Sequence, residues 1–305
     1  MIGIEPANLA PSAEALFTQD RHPGGIFISG DLDPASGEAL QTIASEHQLL
    51  IAIDEEGGRV QGIQNLHGRM ISAREMADLS PQEIEAVATE RAGFLRSYGI
   101  NVDFAPVVDV ESDKGHAVIG DRSFSQDPQV VIESAGAFAQ GLRNVGVLPT
   151  LKHFPGHGSA IGDSHESVVS TDPLDTLESR DILPFAELVR LSSAVMVGHL
   201  RVPQLTGNLP ATLSPEAYSY LRRDLAFDGL VVTDDLSRMQ GARNFGTSAE
   251  IAVMALDAGA DLVLFVAESD FDPVVDAIAT RAEEDSDFKT KLDSAWRRVA
   301  AAANC

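Results

Sequence analysis

Eight short apolar runs, spread along the whole chain and separated by longer amphipathic stretches, restrict this sequence more than any other feature. The runs are Ile2–Ile4, GIFIS (25–29), LLIAI (49–53), NVDFA (101–105), VLPTL (147–151), AVMVG (194–198), LVVT (230–233) and DLVLF (261–265). Continuous apolar runs mark strands covered on both faces, which occur in parallel sheets. Helix-like segments lie near 36–47, 83–98, 129–144, 178–191, 214–224, 247–258 and 272–282, with 287–302 closing the chain. Strand–helix alternation repeated eight times in 305 residues predicts the α/β class and a (β/α)8 TIM-type barrel; a doubly wound open sheet is the alternative. No linker or low-complexity tract interrupts the pattern, so one catalytic domain over 1–305 is expected.

A second regularity bears on function. Polar residues follow the C-terminal ends of the runs: Asp54 after LLIAI, Lys152 and His153 after VLPTL, His199 after AVMVG and Asp234 after LVVT. In both candidate architectures ligands bind at that edge of the sheet, whereas polar residues placed only for solubility have no reason to prefer it.

Charge narrows the partners. Lys+Arg number 22 against 46 Asp+Glu, a formal net charge of −24, and no local basic patch offsets it. Nucleic acid and anionic membrane surfaces are therefore not expected partners. The one cysteine, Cys305, excludes an intramolecular disulfide and a cysteine-built metal site. The first residues lack a basic region followed by an apolar one, and no run reaches transmembrane length, so a soluble, cytoplasmic monomer is expected.

Four stretches could carry chemistry. The densest is Lys152-His153-Phe154-Pro155-Gly156-His157-Gly158, followed by Asp163-Ser164-His165. His153 and His157 have a spacing that suits zinc on a helix, but Pro155, Gly156 and Gly158 oppose a helix there. Asp163 can instead hold His165 as a general acid/base, and a polar loop without chemistry is the bland reading. In Gly229–Leu236, strand alternation sets Val231 and Thr233 on one side and Val232 and Asp234 on the other. Asp234 then ends the strand while Asp235 begins the turn; helix capping is the competing role for either acid. Asp54-Glu55-Glu56-Gly57-Gly58-Arg59 offers carboxylates for sugar hydroxyls or for magnesium, with Arg59 and the lack of a phosphate-cradling loop opposing the metal. Ile119–Phe124 supplies Arg122, for which a surface ion pair is the default explanation.

Taken together, IAIDEEGGRVQ, NVDFAPVVDV, IGDRSF, LKHFPGHG with the following GDSH, and FDGLVVTDDL resemble glycoside hydrolase family 3. More narrowly they look like its single-domain β-N-acetylglucosaminidases of the NagZ type, which act in peptidoglycan recycling. The likeness runs in order to about residue 265. It implies a (β/α)8 barrel and retaining hydrolysis through a covalent glycosyl-enzyme, with no metal or cofactor. By motif, Asp234 would be the nucleophile, His165 the acid/base and Asp163 its partner, while Asp54, Arg122, Lys152 and His153 would hold a terminal N-acetylglucosamine. The implied substrate is a muropeptide fragment, GlcNAc β-1,4-linked to 1,6-anhydro-MurNAc with or without its peptide.

Three departures stand out. Gly62 occupies a position where this branch usually has an arginine, leaving that sugar contact to Arg59 or Arg69. DEEGG replaces the commoner DQEGG. Ser237-Arg238-Met239 is one residue longer than the usual DDLSM ending. They keep open another family 3 β-glycosidase, a phosphorylase in which phosphate takes the place of water, or a catalytically silent sugar-binding barrel.

Overall fold

In a computed structural model of the chain, residues 1–17, 22–113, 118–160, 169–191 and 194–303 are described. Eight parallel strands pair in chain order. They are β1 (Ile2–Ile4), β2 (Gly25–Ile28), β3 (Leu50–Ile53), β4 (Val102–Asp103), β5 (Leu148–Phe154), β6 (Ala194–Val197), β7 (Leu230–Asp235) and β8 (Leu262–Leu264). Ile2 bridges to Phe265 in parallel, with the Gly3 N–H donating to the Phe265 carbonyl at 2.6 Å. That contact closes the sheet on itself, so the barrel is realised and the open sheet is not.

The alternation that makes each run a strand also sorts its side chains into two cores. Inside the barrel sit Phe27, Leu50, Ala52, Val102, Leu148, Ala194, Met196, Leu230, Val232, Leu262 and Leu264. Their neighbours Ile26, Ile28, Ile51, Ile53, Val195, Val197 and Val231 face outward and meet the helices. Burying each such side chain contributes about 1.5–3 kcal/mol, which is why both faces of every strand are apolar.

The helices begin where their sequences supply caps. Ser80 and Glu83 form a reciprocal capping box for Pro81–Ser97, and Asp127 caps Pro128–Asn144, each helix having its proline in the first turn where no N–H is needed. These two helices lie close because Gly141 carries no side chain: a Cβ there would come within 2.5 Å of the Glu85 carbonyl. The helix expected over 178–191 is broken into Leu174–Glu178 and Leu183–Leu188. Pro184 accounts for the break, since it fits only the first turn of a helix. The segment expected as a helix over 214–224 is an α turn, Pro215–Ser219, running into a π turn, Tyr220–Asp224.

Two strands run further than their apolar runs. Strand β5 continues through Lys152 and His153, its ladder shifting register between Leu151 and Phe154, and β7 includes Asp235. Polar groups expected just beyond these strands therefore sit on them. Among the described residues, no helix is long and apolar enough to cross a membrane.

Candidate active site

The cavity that matters lies at the C-terminal mouth of the barrel, where barrel enzymes carry their chemistry. It encloses about 270 Å³ and is lined by Asp54, Arg122, Lys152, His153, Asp234 and Arg238 around an apolar floor that includes Phe27, Phe104 and Met196. The Phe27 and Phe104 rings stack at 5.5 Å. Strand parity explains much of the lining. Asp54 follows Ala52 by two residues, Lys152 follows Thr150, and Asp234 follows Val232, so each continues an inward-facing row.

DEEGG sends its three carboxylates to three places. Asp54 accepts from Lys152 Nζ at 2.6 Å and is partly exposed to the cavity. Glu55 turns behind the sheet, accepting from the Gly62 and Ile63 N–H groups and from Arg91 Nε at 2.7 Å. Glu56 is buried between two cations: it accepts both arms of the Arg122 guanidinium at 2.7 Å and contacts Lys152 Nζ at 2.5 Å. The three do not converge on one point, as a magnesium site would require. Burial alone would raise the Glu56 carboxyl, but Arg122 and Lys152 outweigh it and hold the group well below its usual range. Lys152 is 2% exposed; burial opposes its charge, and Asp54 and Glu56 nonetheless push its pKa up.

Arg122 is only 14% exposed and forms a forked pair with Glu56, so the surface ion pair expected for it is replaced by a buried one. Asp109, at the end of NVDFAPVVDV, organises the next loop. It accepts from His153 Nδ1 at 2.8 Å and from the backbone N–H groups of His153 and His157. The proton on His153 is thereby placed on Nδ1, leaving Nε2 as the second nitrogen of a cavity-lining ring. His153 and His157 lie on a strand end and a turn, not on a shared helix face, their ring centroids 6.1 Å apart. Gly158 makes this loop possible, since a Cβ there would fall 1.8 Å from the Val110 carbonyl oxygen. Among the described residues, no three metal-ligating side chains are grouped to hold an ion.

Asp234 lies at the end of β7, and its Oδ1 accepts the Asp235 N–H at 2.8 Å. Burial would raise its carboxyl, but His153, His199, that N–H and Lys152 together bring it below the ordinary aspartate value. Neither acid caps the next helix, which starts at Gln240 behind Met239 without a side-chain cap; Asp235 instead pins the turn. Its carboxylate accepts from the N–H groups of Ser237, Arg238 and Val266 and from the Ser237 hydroxyl. His199 braces the same turn, Nε2 meeting the Asp235 carbonyl at 2.9 Å and Nδ1 the Thr212 hydroxyl at 2.8 Å.

Of the sequence-derived candidates, Asp54, Arg122, Lys152, His153 and Asp234 meet around this cavity. Asp163 and His165 lie outside the described residues. Neither Arg59 nor Arg69 takes the place left by Gly62, because neither lines the cavity and Arg59 pairs with Asp121. Gly62 faces Ile53, whose Cδ1 would lie 2.4 Å from an added Cβ, so no side chain fits there without displacement. Glu56 and Asp109 were not singled out individually. The signal that finds them is electrostatic: an arginine, a lysine and a histidine brought to an apolar rim require buried acids beside them.

Adjacent carboxylate acceptors and ammonium donors match the vicinal hydroxyls of a sugar, and stacked phenyl rings suit the apolar face of a pyranose. Fold and site together define a carbohydrate-processing barrel enzyme. The chain belongs to glycosyl hydrolase family 3, whose N-terminal domain model matches residues 17–302. It is 45% identical over 290 residues to the β-hexosaminidase LpqI of Mycobacterium tuberculosis, covering 90% of this chain and 74% of that one. Among solved structures, a family 3 glycosyl hydrolase from Mycobacterium smegmatis superposes with a TM-score of 0.91 at 40% identity, covering 99% of this chain and 94% of the other. A β-N-acetylhexosaminidase from Beutenbergia cavernae superposes with a TM-score of 0.92 at 30% identity, covering 100% and 96%.

Proposed function

We propose that this protein is an exo-acting, retaining β-N-acetylglucosaminidase that removes terminal GlcNAc from peptidoglycan fragments, GlcNAc-β-1,4-anhydroMurNAc with or without peptide. The β-hexosaminidase activity of its relatives supports the reaction class. The observation that carries the chemistry is the half-buried Asp234 carboxylate at the barrel mouth, kept ionised beside a sugar-sized cavity.

In this reading Asp234 attacks the anomeric carbon while the leaving oxygen takes a proton from His165, oriented by Asp163. The glycosyl–Asp234 ester then breaks as His165 draws a proton from water, which attacks the same carbon and returns the carboxylate. Asp54 and Lys152 hold ring hydroxyls, and Arg122 and His153 complete the grip. The Glu56 and Asp109 contacts keep those groups in place before substrate arrives, so little reorganisation is left for binding.

Turnover of aryl β-GlcNAc should far exceed that of aryl β-glucoside, and equal turnover of the two contradicts the specificity. His165→Ala is expected to slow disaccharide hydrolysis by about 100-fold or more, the size of a general acid's contribution. Activated aryl glycosides should lose much less in glycosylation, because their leaving group needs no proton. Similar losses in the glycosylation step for both substrates contradict the acid role.

A further inference from the structure

Arg238, in the turn after Asp234, sits on the wall of the same cavity with its side chain exposed. Every other basic side chain lining that cavity is matched by an acid. Arg122 has Glu56, Lys152 has Asp54 and Glu56, and His153 has Asp109. Among the described residues no carboxylate pairs with the Arg238 guanidinium. The turn that presents it is firmly set, since Asp235 holds the Arg238 N–H at 3.0 Å together with the N–H groups of Ser237 and Val266.

The β3–β5 side of the cavity thus offers hydrogen bonds to a neutral sugar from charges already compensated there. The β7–β8 side, by contrast, sets Arg238 beside an apolar wall of Met239, Leu264 and Val266; Asp234 and Asp235 also line it, but Asp235 is engaged by the turn's N–H groups, and among the described residues neither pairs with the guanidinium. In a chain of net charge −24, an anionic substrate approaches against the overall field, and a local cation is what allows its charged group to settle. The geometry points to Arg238 as a specificity-determining residue that pairs with a carboxylate on the leaving sugar. This inference rests on the glycosidase reading above and adds the part of the substrate that is recognised.

Two disaccharides separate the contributions. GlcNAc-β-1,4-GlcNAc and GlcNAc-β-1,4-MurNAc share the scissile bond and differ in the lactyl ether, which carries the carboxylate. The wild type is expected to favour the muramic acid compound in kcat/KM by about 10- to 100-fold, the size of a charge-assisted hydrogen-bonded pair. Arg238→Ala should collapse that ratio, chiefly through KM for the acidic substrate, while Arg238→Lys keeps part of it and Arg238→Glu inverts it. Converting the lactyl carboxylate to its methyl ester should reproduce the Arg238→Ala result with the wild-type enzyme. A ratio unmoved by Arg238→Ala, or equal losses on both disaccharides, overturns the inference. Failure of the wild type to cleave either disaccharide overturns the glycosidase reading itself, and the inference with it.

Discussion

Asp234→Asn is expected to lower kcat by about four orders of magnitude or more, equivalent to about 5.5 kcal/mol of barrier, with the fold and GlcNAc binding retained. Asparagine has the shape of the aspartate and can still accept the Asp235 N–H that Asp234 accepts at 2.8 Å. The turn beyond it is held independently by Asp235 and His199. What asparagine lacks is the anionic oxygen needed to form the glycosyl ester. Steady-state kinetics on an aryl β-GlcNAc and calorimetric titration with GlcNAc separate the two effects. Residual activity above a few per cent, or loss of binding in parallel with loss of turnover, contradicts the assignment.

The second large effect concerns stability. Glu56 compensates both Arg122 and Lys152 while itself buried, so Glu56→Gln leaves two cations in an apolar setting with only Asp54 close to Lys152. Removing one member of a buried charge network costs about 3–5 kcal/mol, because the charges left behind keep their desolvation penalty. The urea midpoint should fall accordingly, and KM should rise as the Arg122 and Lys152 side chains lose their fixed positions. The pH dependence follows from the sign of the shift. The Glu56 carboxyl is depressed in the folded state, so its contribution is complete above the unfolded value and disappears as pH falls through the folded one. Wild type and Glu56→Gln should therefore differ most near neutrality and converge in strong acid. An unchanged urea midpoint at neutral pH contradicts this account.

The barrel was legible because parallel strands buried on both faces leave apolar runs that nothing else in a chain of this size requires. Each of the eight runs corresponds to a strand. Asp54, Lys152 and Asp234 were legible for a related reason: alternation carries an inward-facing row past the last apolar residue and delivers the next side chain to the mouth. Arg122 was harder. It lies in a loop far from any strand end, and only the closed barrel brings it against Glu56. Glu56 and Asp109 were harder still, because their importance comes from cations contributed by other segments, and such pairing leaves no mark in local sequence. The break in the helix after β5 is local chemistry, since Pro184 inside an amphipathic pattern marks a new start. Gly62 shows the opposite case. A missing arginine suggests a weakened sugar contact, and the local packing adds that a larger residue here would require the Ile53 side chain to move aside.

The covalent intermediate provides the most direct test. Incubation with a 2-fluoro or 5-fluoro glycosyl inhibitor slows the second displacement more than the first, so the glycosyl-enzyme accumulates and can be digested and mapped. The account predicts a single labelled peptide spanning residues 229–236, with the sugar esterified to Asp234 and product released from natural substrate with its β-configuration intact. A label on any other residue, or a product of inverted configuration, contradicts it.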